Sequence, residues 1–270
     1  MTKRILVVVA LALAAGPARA QWSSPPTGWE STTKAQAPGG NIFSVAYLAP
    51  KSERLKQWAQ MAHLLQVEKV AEALSARYVM PRPLPIVFLE CGTINAFYTS
   101  DKHAILACYE LLDYFYNVFK PLSKTEEQVG RKLAGAFYFT FFHELGHALA
   151  GELDLPITGK EEDAADQLSA IILTKIPGVG RECALAAAEW FAIAGQEKQK
   201  TGNIAWYDEH SFDLQRMYDI ICIVYAGDQQ ANADLVKAVG MSADRQARCV
   251  RETPRKAKAW DDILRPHVRK

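Results

Sequence analysis

Apolar residues recur at two periods along this chain, and the change from one to the other marks out its elements. Residues 42–48 alternate and predict a strand, whereas Leu55, Trp58, Ala62 and Leu65 fall three and four apart and predict an amphipathic helix over 53–75. Pro81, Pro83 and Pro85 end that helix, and residues 86–89 form an apolar strand. Two further strand-like runs, 94–98 and 103–108, flank the polar Thr99-Ser100-Asp101-Lys102 and predict a hairpin, which carries Cys91 close to Cys108. His103 at that turn reads as a solvated residue, and His63 as a packed or surface residue beside its helical stripe.

Helical spacing then takes over. A Tyr- and Phe-rich helix over 109–119 stops at Pro121, and Ser123-Lys124-Thr125-Glu126 reads as a capping box opening the next one. Val129, Leu133, Ala136, Thr140, His143 and His147 then step by 4, 3, 4, 3 and 4, so the two histidines continue a stripe that begins apolar. Phe137, Phe139, Phe141 and Phe142 make the remaining faces apolar too, which predicts a helix buried nearly all round at the centre of its domain. Gly151 and Pro156 end it. Thr158-Gly159-Lys160-Glu161 reads as a second capping box, opening a helix that runs to about Lys175 before Pro177. Further helical segments are expected at 182–200, 210–225, 230–239 and 257–264. The class is α+β, mainly α: a single domain over 42–270 with a small sheet and one central helix.

The two ends of the sequence add a destination. Lys3 and Arg4, an apolar run over 5–15 and Ala18-Arg19-Ala20 predict a Sec-type signal peptide over 1–20, cleaved after Ala20, and its apolar run is too short to span a bilayer. No stable membrane span is expected once it is removed. Residues 21–41, rich in Ser, Pro, Gly and Thr, read as a flexible lead-in. Removing 1–20 takes away three cations, Lys3, Arg4 and Arg19, and moves the formal charge from +1 to −2. That balance gives no reason to expect nucleic acid or an anionic surface as a partner, and the basic C-terminal run reads as a solvated helix face. Export to a secreted or periplasmic location would oxidise cysteines, and five are present. Cys91 with Cys108 and Cys222 with Cys249 are the expected disulfides, with Cys183 left over.

The candidate chemistry lies at the centre. His143-Glu144-Leu145-Gly146-His147 is an H-E-x-x-H pattern. On a helix its histidines share one face and can meet a single zinc ion, while Glu144 projects beside them as a general base. A catalytic zinc needs a third protein ligand. Glu161 is expected to be occupied at the helix start; Glu162 is the expected ligand, with Asp166 one turn on accepting the free N–H of a ligating histidine. Thr140, one turn before, could bond a carbonyl of its own helix. An oxyanion donor is expected from His210, with Tyr207 and Tyr218 nearby, although His210 could equally serve the start of its own helix.

H-E-x-x-H followed by Glu162-Asp163-Ala164-Ala165-Asp166 resembles the gluzincin metallopeptidases, which include thermolysin-like enzymes and the membrane-bound prenyl-protein type. Asn95-Ala96-Phe97 is similar to the N-A-F edge strand of those enzymes, and HELGHALAGELDLP with EHSFDLQRMY resembles an uncharacterised group of secreted bacterial metallopeptidases. The resemblance implies a zincin-like domain, a metal held by His143, His147 and Glu162, and a peptide or protein substrate laid along Asn95, Ala96, Phe97 and Tyr98. Two other readings remain: an inactive zinc-binding relative that binds a peptide or partner protein at that edge, and a helical export-pathway protein whose motif is fortuitous.

Overall fold

The computed structural model describes residues 42–202 and 208–269. The expected signal peptide and lead-in, and Tyr207, lie outside the described residues. The alternating run forms strand β1 (Phe43–Tyr47), and the three later strands are β2 (Leu84–Leu89), β3 (Ala96–Thr99) and β4 (Ala104–Cys108). They make one sheet in the order β1-β2-β4-β3, parallel except for β3, which runs antiparallel to β4 at an edge. Pairing sets Ile86 beside Ile105 and Phe88 beside Ala107. Strand alternation sends these four into the main core, and Val87, Leu89, Ala104 and Leu106 into a smaller cluster with Phe97 on the opposite face.

The expected single helix over 53–75 is two: α1 (Glu53–Ala62) and α2 (Val67–Arg77), joined by a short 3-10 turn and by Gln66 in the left-handed conformation at φ 55°. The reason is a slip in phase. The stripe ending at Leu65 restarts at Val67, Val70, Ala71 and Leu74, and a continuous helix could not have buried both sets. His103 also departs from expectation: it sits in the turn at φ 50°, outside β4, and its ring pairs with Arg82 and Glu152 where a solvated residue was expected. His63 packs against Tyr47, with ring centroids 3.8 Å apart and the planes tilted by 34°.

After α3 (Tyr109–Phe119), the long helix α4 (Glu126–Glu152) runs through the centre, buried on most of its surface. Its cap lies two residues beyond the expected box. Thr125 accepts from the Gln128 N–H while the Gln128 side chain accepts from the Lys124 N–H, an equally good T-x-x-Q pattern read two residues along. Around α4 pack α3, α5 (Glu161–Thr174) and α6 (Gly180–Thr201), with α7 (Asp213–Gly227), the short α8 (Ala233–Ala238) and α9 (Ala243–Leu264) outside them. The last helix is far longer than the expected 257–264, because Pro254 lies on its exposed face and the helix continues through it. Cys91–Cys108 and Cys222–Cys249 are both bonded, the second joining α7 to α9, and Cys183 is free. Among the described residues no helix is long and apolar enough to cross a membrane.

Candidate metal centre

Two consecutive helices build the site, and a glycine decides how closely they meet. A Cβ on Gly146 would stand 3.0 Å from the Cα of Ala165, closer than side chains ordinarily pack, so glycine lets the backbone of α5 come down onto α4 at this point without displacement. Ser169 fastens the same contact further along, donating from its hydroxyl to the Phe139 carbonyl at 2.7 Å. As a result Glu161, Glu162 and Asp166 on α5 face His143 and His147 on α4. Thr140 donates to the Ala136 carbonyl of its own helix, as its position suggested.

Each histidine is gripped on its outer nitrogen. His143 Nδ1 lies 2.8 Å from Asp166 Oδ1, and His147 Nδ1 lies 2.7 Å from Glu161 Oε1. Carboxylates only accept, so both Nδ1 atoms are the protonated ones and both Nε2 atoms turn inward, 3.0 Å apart. Glu162 Oε2 completes the group at 3.1 Å from His143 Nε2 and 3.4 Å from His147 Nε2. His210 Nε2 approaches the same oxygen at 2.8 Å, and Asp208 lies 3.0 Å behind it on Nδ1. Yet Glu162 Oε2 is buried and takes part in no properly aligned hydrogen bond. Lone pairs of two imidazoles and a carboxylate turned toward one point are the arrangement of ligands around a common ion, and the three ligand atoms of His143, His147 and Glu162 all lie within 4.8 Å of one another.

Charge points the same way. Glu144, Glu161, Glu162 and Asp166 bring four carboxyl groups, and among the described residues one permanent cation, Arg216, stands in contact with them. With neutral imidazoles the cluster is short of positive charge, and protons make up the shortage. Burial pushes the His143 imidazolium down, but the Asp166 and Glu162 carboxylates facing it outweigh burial and lift the group to about 10. Burial would lower His147, but Glu162 and Glu161 raise it, and His210 is raised chiefly by Glu162. Burial alone would raise the Glu162 carboxyl, but the three imidazoles hold it far below the usual range. A divalent cation answers this deficit better than protons do, so the donor set fits a metal ion in number, type and charge.

Glu144 behaves differently from its neighbours. Burial raises its carboxyl above the ordinary value, and its Oε2 accepts the Tyr98 N–H at 2.7 Å. That bond ties the general-base candidate to the edge strand. The edge itself is divided: the Asn95 carbonyl turns inward to the Cys108 N–H, Ala96 is buried against α4, Phe97 packs on the small outer cluster, and the Tyr98 N–H is committed to Glu144. Tyr218 is not brought to the site, for its hydroxyl donates to the Val239 carbonyl.

Three participants escaped the sequence reading. The second capping box does not form: Gly159 at φ 124° turns the chain, Lys160 becomes the N-cap, and Thr158 falls too early to reach the helix. Glu161 is therefore the first helical residue, free to orient His147. Arg216 forks onto Asp166 with Nε at 2.7 Å and Nη2 at 2.8 Å, and its guanidinium covers the Phe191 ring at 4.1 Å. Burial would raise Asp166, and the Arg216 charge, with the His143 bond, holds it low instead. A buried Asp demands a cation, but only the fold selects Arg216 from 31 Lys and Arg residues. The third is Asp208, behind His210. A second grouping of Cys91, Cys108 and Glu110 offers no metal ligands, since its sulfurs are joined to each other and Glu110 accepts from the Cys91 and Gly92 N–H groups.

No curated protein and no solved structure matches the chain. One family model does, over residues 47–264, and its description is "Putative metallopeptidase".

Proposed function

The chain belongs to this family of putative metallopeptidases, and from that premise we propose that it is a secreted zinc-dependent peptidase with Glu144 as its general base. The observation that carries the reading is the convergence of His143 Nε2, His147 Nε2 and Glu162 Oε2 on one point, with their other atoms held from behind. Two imidazoles and one carboxylate form a donor set suited to catalytic zinc, which leaves a position open. The chemistry a zinc ion supplies at such ligands is Lewis acidity, which polarises a carbonyl and makes water nucleophilic at neutral pH.

The residues divide the remaining work. Glu144, with a proton affinity raised by burial and an orientation fixed by the Tyr98 N–H, takes a proton from the attacking water and returns it to the leaving amine. His210, steadied by Asp208 and drawn toward its protonated form by Glu162, donates to the oxyanion that develops. Asp166 and Glu161 fix the tautomers of the two ligating histidines, and Arg216 keeps Asp166 ionised. The β3 edge receives an extended peptide or protein segment by strand addition. Two disulfides accord with export to an oxidising compartment, secreted or periplasmic.

Glu144→Gln tests the reading. The variant keeps its metal, measured by elemental analysis, and loses hydrolysis of a mixed peptide library by about 10²–10⁴-fold. Hydrolysis retained at the wild-type rate refutes the role of Glu144. The inactive zinc-binding relative predicts no chelator-sensitive cleavage in the wild type either, together with peptide binding at β3.

A further inference from the structure

Glu152 is the last residue of α4, eight positions beyond Glu144, and its side chain is only 2% exposed. A carboxylate fits badly at the C-terminal end of a helix, where the macrodipole is negative, and burial makes it costlier still. Three donors from separate pieces of chain compensate. Arg82 Nε, from the segment before β2, lies 3.1 Å from Oε2; His103 Nδ1, from the β3–β4 turn, and the Tyr98 hydroxyl, from β3, each lie 2.7 Å from Oε1. Arg82 and His103 also meet each other at 3.0 Å. Tyr98 is thus held twice by one helix, through its N–H by Glu144 and through its hydroxyl by Glu152. Its ring lies across Gly151, where a Cβ would come within 3.3 Å of Tyr98 Cε1, so the absence of a side chain there seats the ring.

We propose that Glu152 is a positioning residue that sets the height of the β3 edge over Glu144, so that edge strand and general base keep one spacing. The inference rests on the peptidase reading for its purpose and on the contacts of Glu152 for its content. Pairing with β4 keeps β3 in the sheet, but Glu144 alone would join the strand to α4 by one hydrogen bond, about which the edge could tilt against the helix. The second grip, two turns further along α4, removes that freedom and also fixes the hairpin turn through His103. A peptide that adds to the edge over several residues then arrives with its scissile bond at a set distance from the base; a short substrate that spans little of the edge gains nothing from the grip.

Tyr98→Phe and Glu152→Gln, made in the full-length protein, test this. Tyr98→Phe removes one hydroxyl and leaves the N–H, so it guards against a misfolded Glu152 variant. Amide hydrogen exchange at Tyr98 is expected to accelerate about tenfold in both variants, the weight of one hydrogen bond to a charged group, with α4 and β4 exchange and metal content unchanged. In Glu152→Gln, kcat/KM for a long peptide is expected to fall about tenfold, chiefly through kcat, while kcat/KM for a dipeptide-sized substrate stays put. Unchanged exchange at Tyr98 in both variants, or equal acceleration throughout β4 and α4, overturns the proposal. Should the wild type cleave no peptide, the peptidase reading fails by that result, while the exchange measurement still decides whether Glu152 positions the edge.

Discussion

Arg216→Met isolates the least visible support of the site. The guanidinium makes two charge-assisted hydrogen bonds to Asp166, at 2.7 and 2.8 Å, while its flat face covers Phe191. Methionine keeps the apolar contact and deletes both bonds. Each is worth about 1.5–3 kcal/mol, and Asp166 would stay buried with a single remaining partner, the His143 Nδ1–H. Because that imidazole can take up part of the missing charge, the expected loss sits at the lower end of what breaking a buried pair costs, about 3 kcal/mol. Urea unfolding of the metal-free protein, followed by circular dichroism, measures it. The double variant Arg216→Met/Asp166→Asn removes both charges together and should recover stability to within about 1 kcal/mol of wild type. A loss below about 1 kcal/mol in the single variant, or a double variant as unstable as the single, would refute the claim that Arg216 neutralises Asp166.

Metal content separates the neighbouring acids: Glu162→Ala should abolish stoichiometric zinc, whereas Glu161→Ala, which only releases the outer nitrogen of His147, should weaken affinity about 10–100-fold; equal losses would erase the distinction. Zinc uptake should strengthen with pH, because the metal-free His143 holds its proton up to about 10 and must surrender it to ligate. Titration calorimetry in buffers of different ionisation enthalpy counts the protons released, and release of none contradicts the reading. The same proton acts on the fold in the opposite sense. His143 rises from 6.5 to about 10 on folding, so its stabilisation of the metal-free protein is complete below about pH 6.5 and fades as pH climbs through about 10. Finally, Gly146→Val should cost about 1–3 kcal/mol and lower metal affinity by pressing α5 off α4. Unaltered affinity would show that this contact does not set the ligand spacing.

The central helix could be read from the residues because its burial is written at a single period, with His143 and His147 falling in phase with Val129, Leu133 and Ala136. The four residues at positions 143, 147, 162 and 166 come together through one helix-to-helix contact, and local spacing was enough to anticipate it. What stayed hidden depends on geometry that no local pattern encodes. A restart in phase at Val67 looks like continuation until Gln66 is seen in its left-handed conformation. Pro254 reads as a break unless the exposed face of α9 is known. Glu161 and Glu162 differ in role only through where α5 begins, which Gly159 decides. Arg216 and Asp208 reach the centre from the far side of α6, a distance in sequence over which composition says nothing of proximity.

The placement of the candidate ligands has a bearing on the order of events as the chain folds. His143, His147 and Glu162 all come from a single helical hairpin, α4 and α5, joined by the short stretch 153–160. Contacts so close in sequence close small loops and form early, whereas Arg216 and His210 must return across more than forty residues. A folding chain would therefore bring its candidate ligands together before α7 has docked, and could capture an ion from its surroundings at a stage when neither the neutralising arginine nor the third histidine has arrived. Loading would then be an episode of folding, and the helices that arrive afterwards would close around an ion already in place.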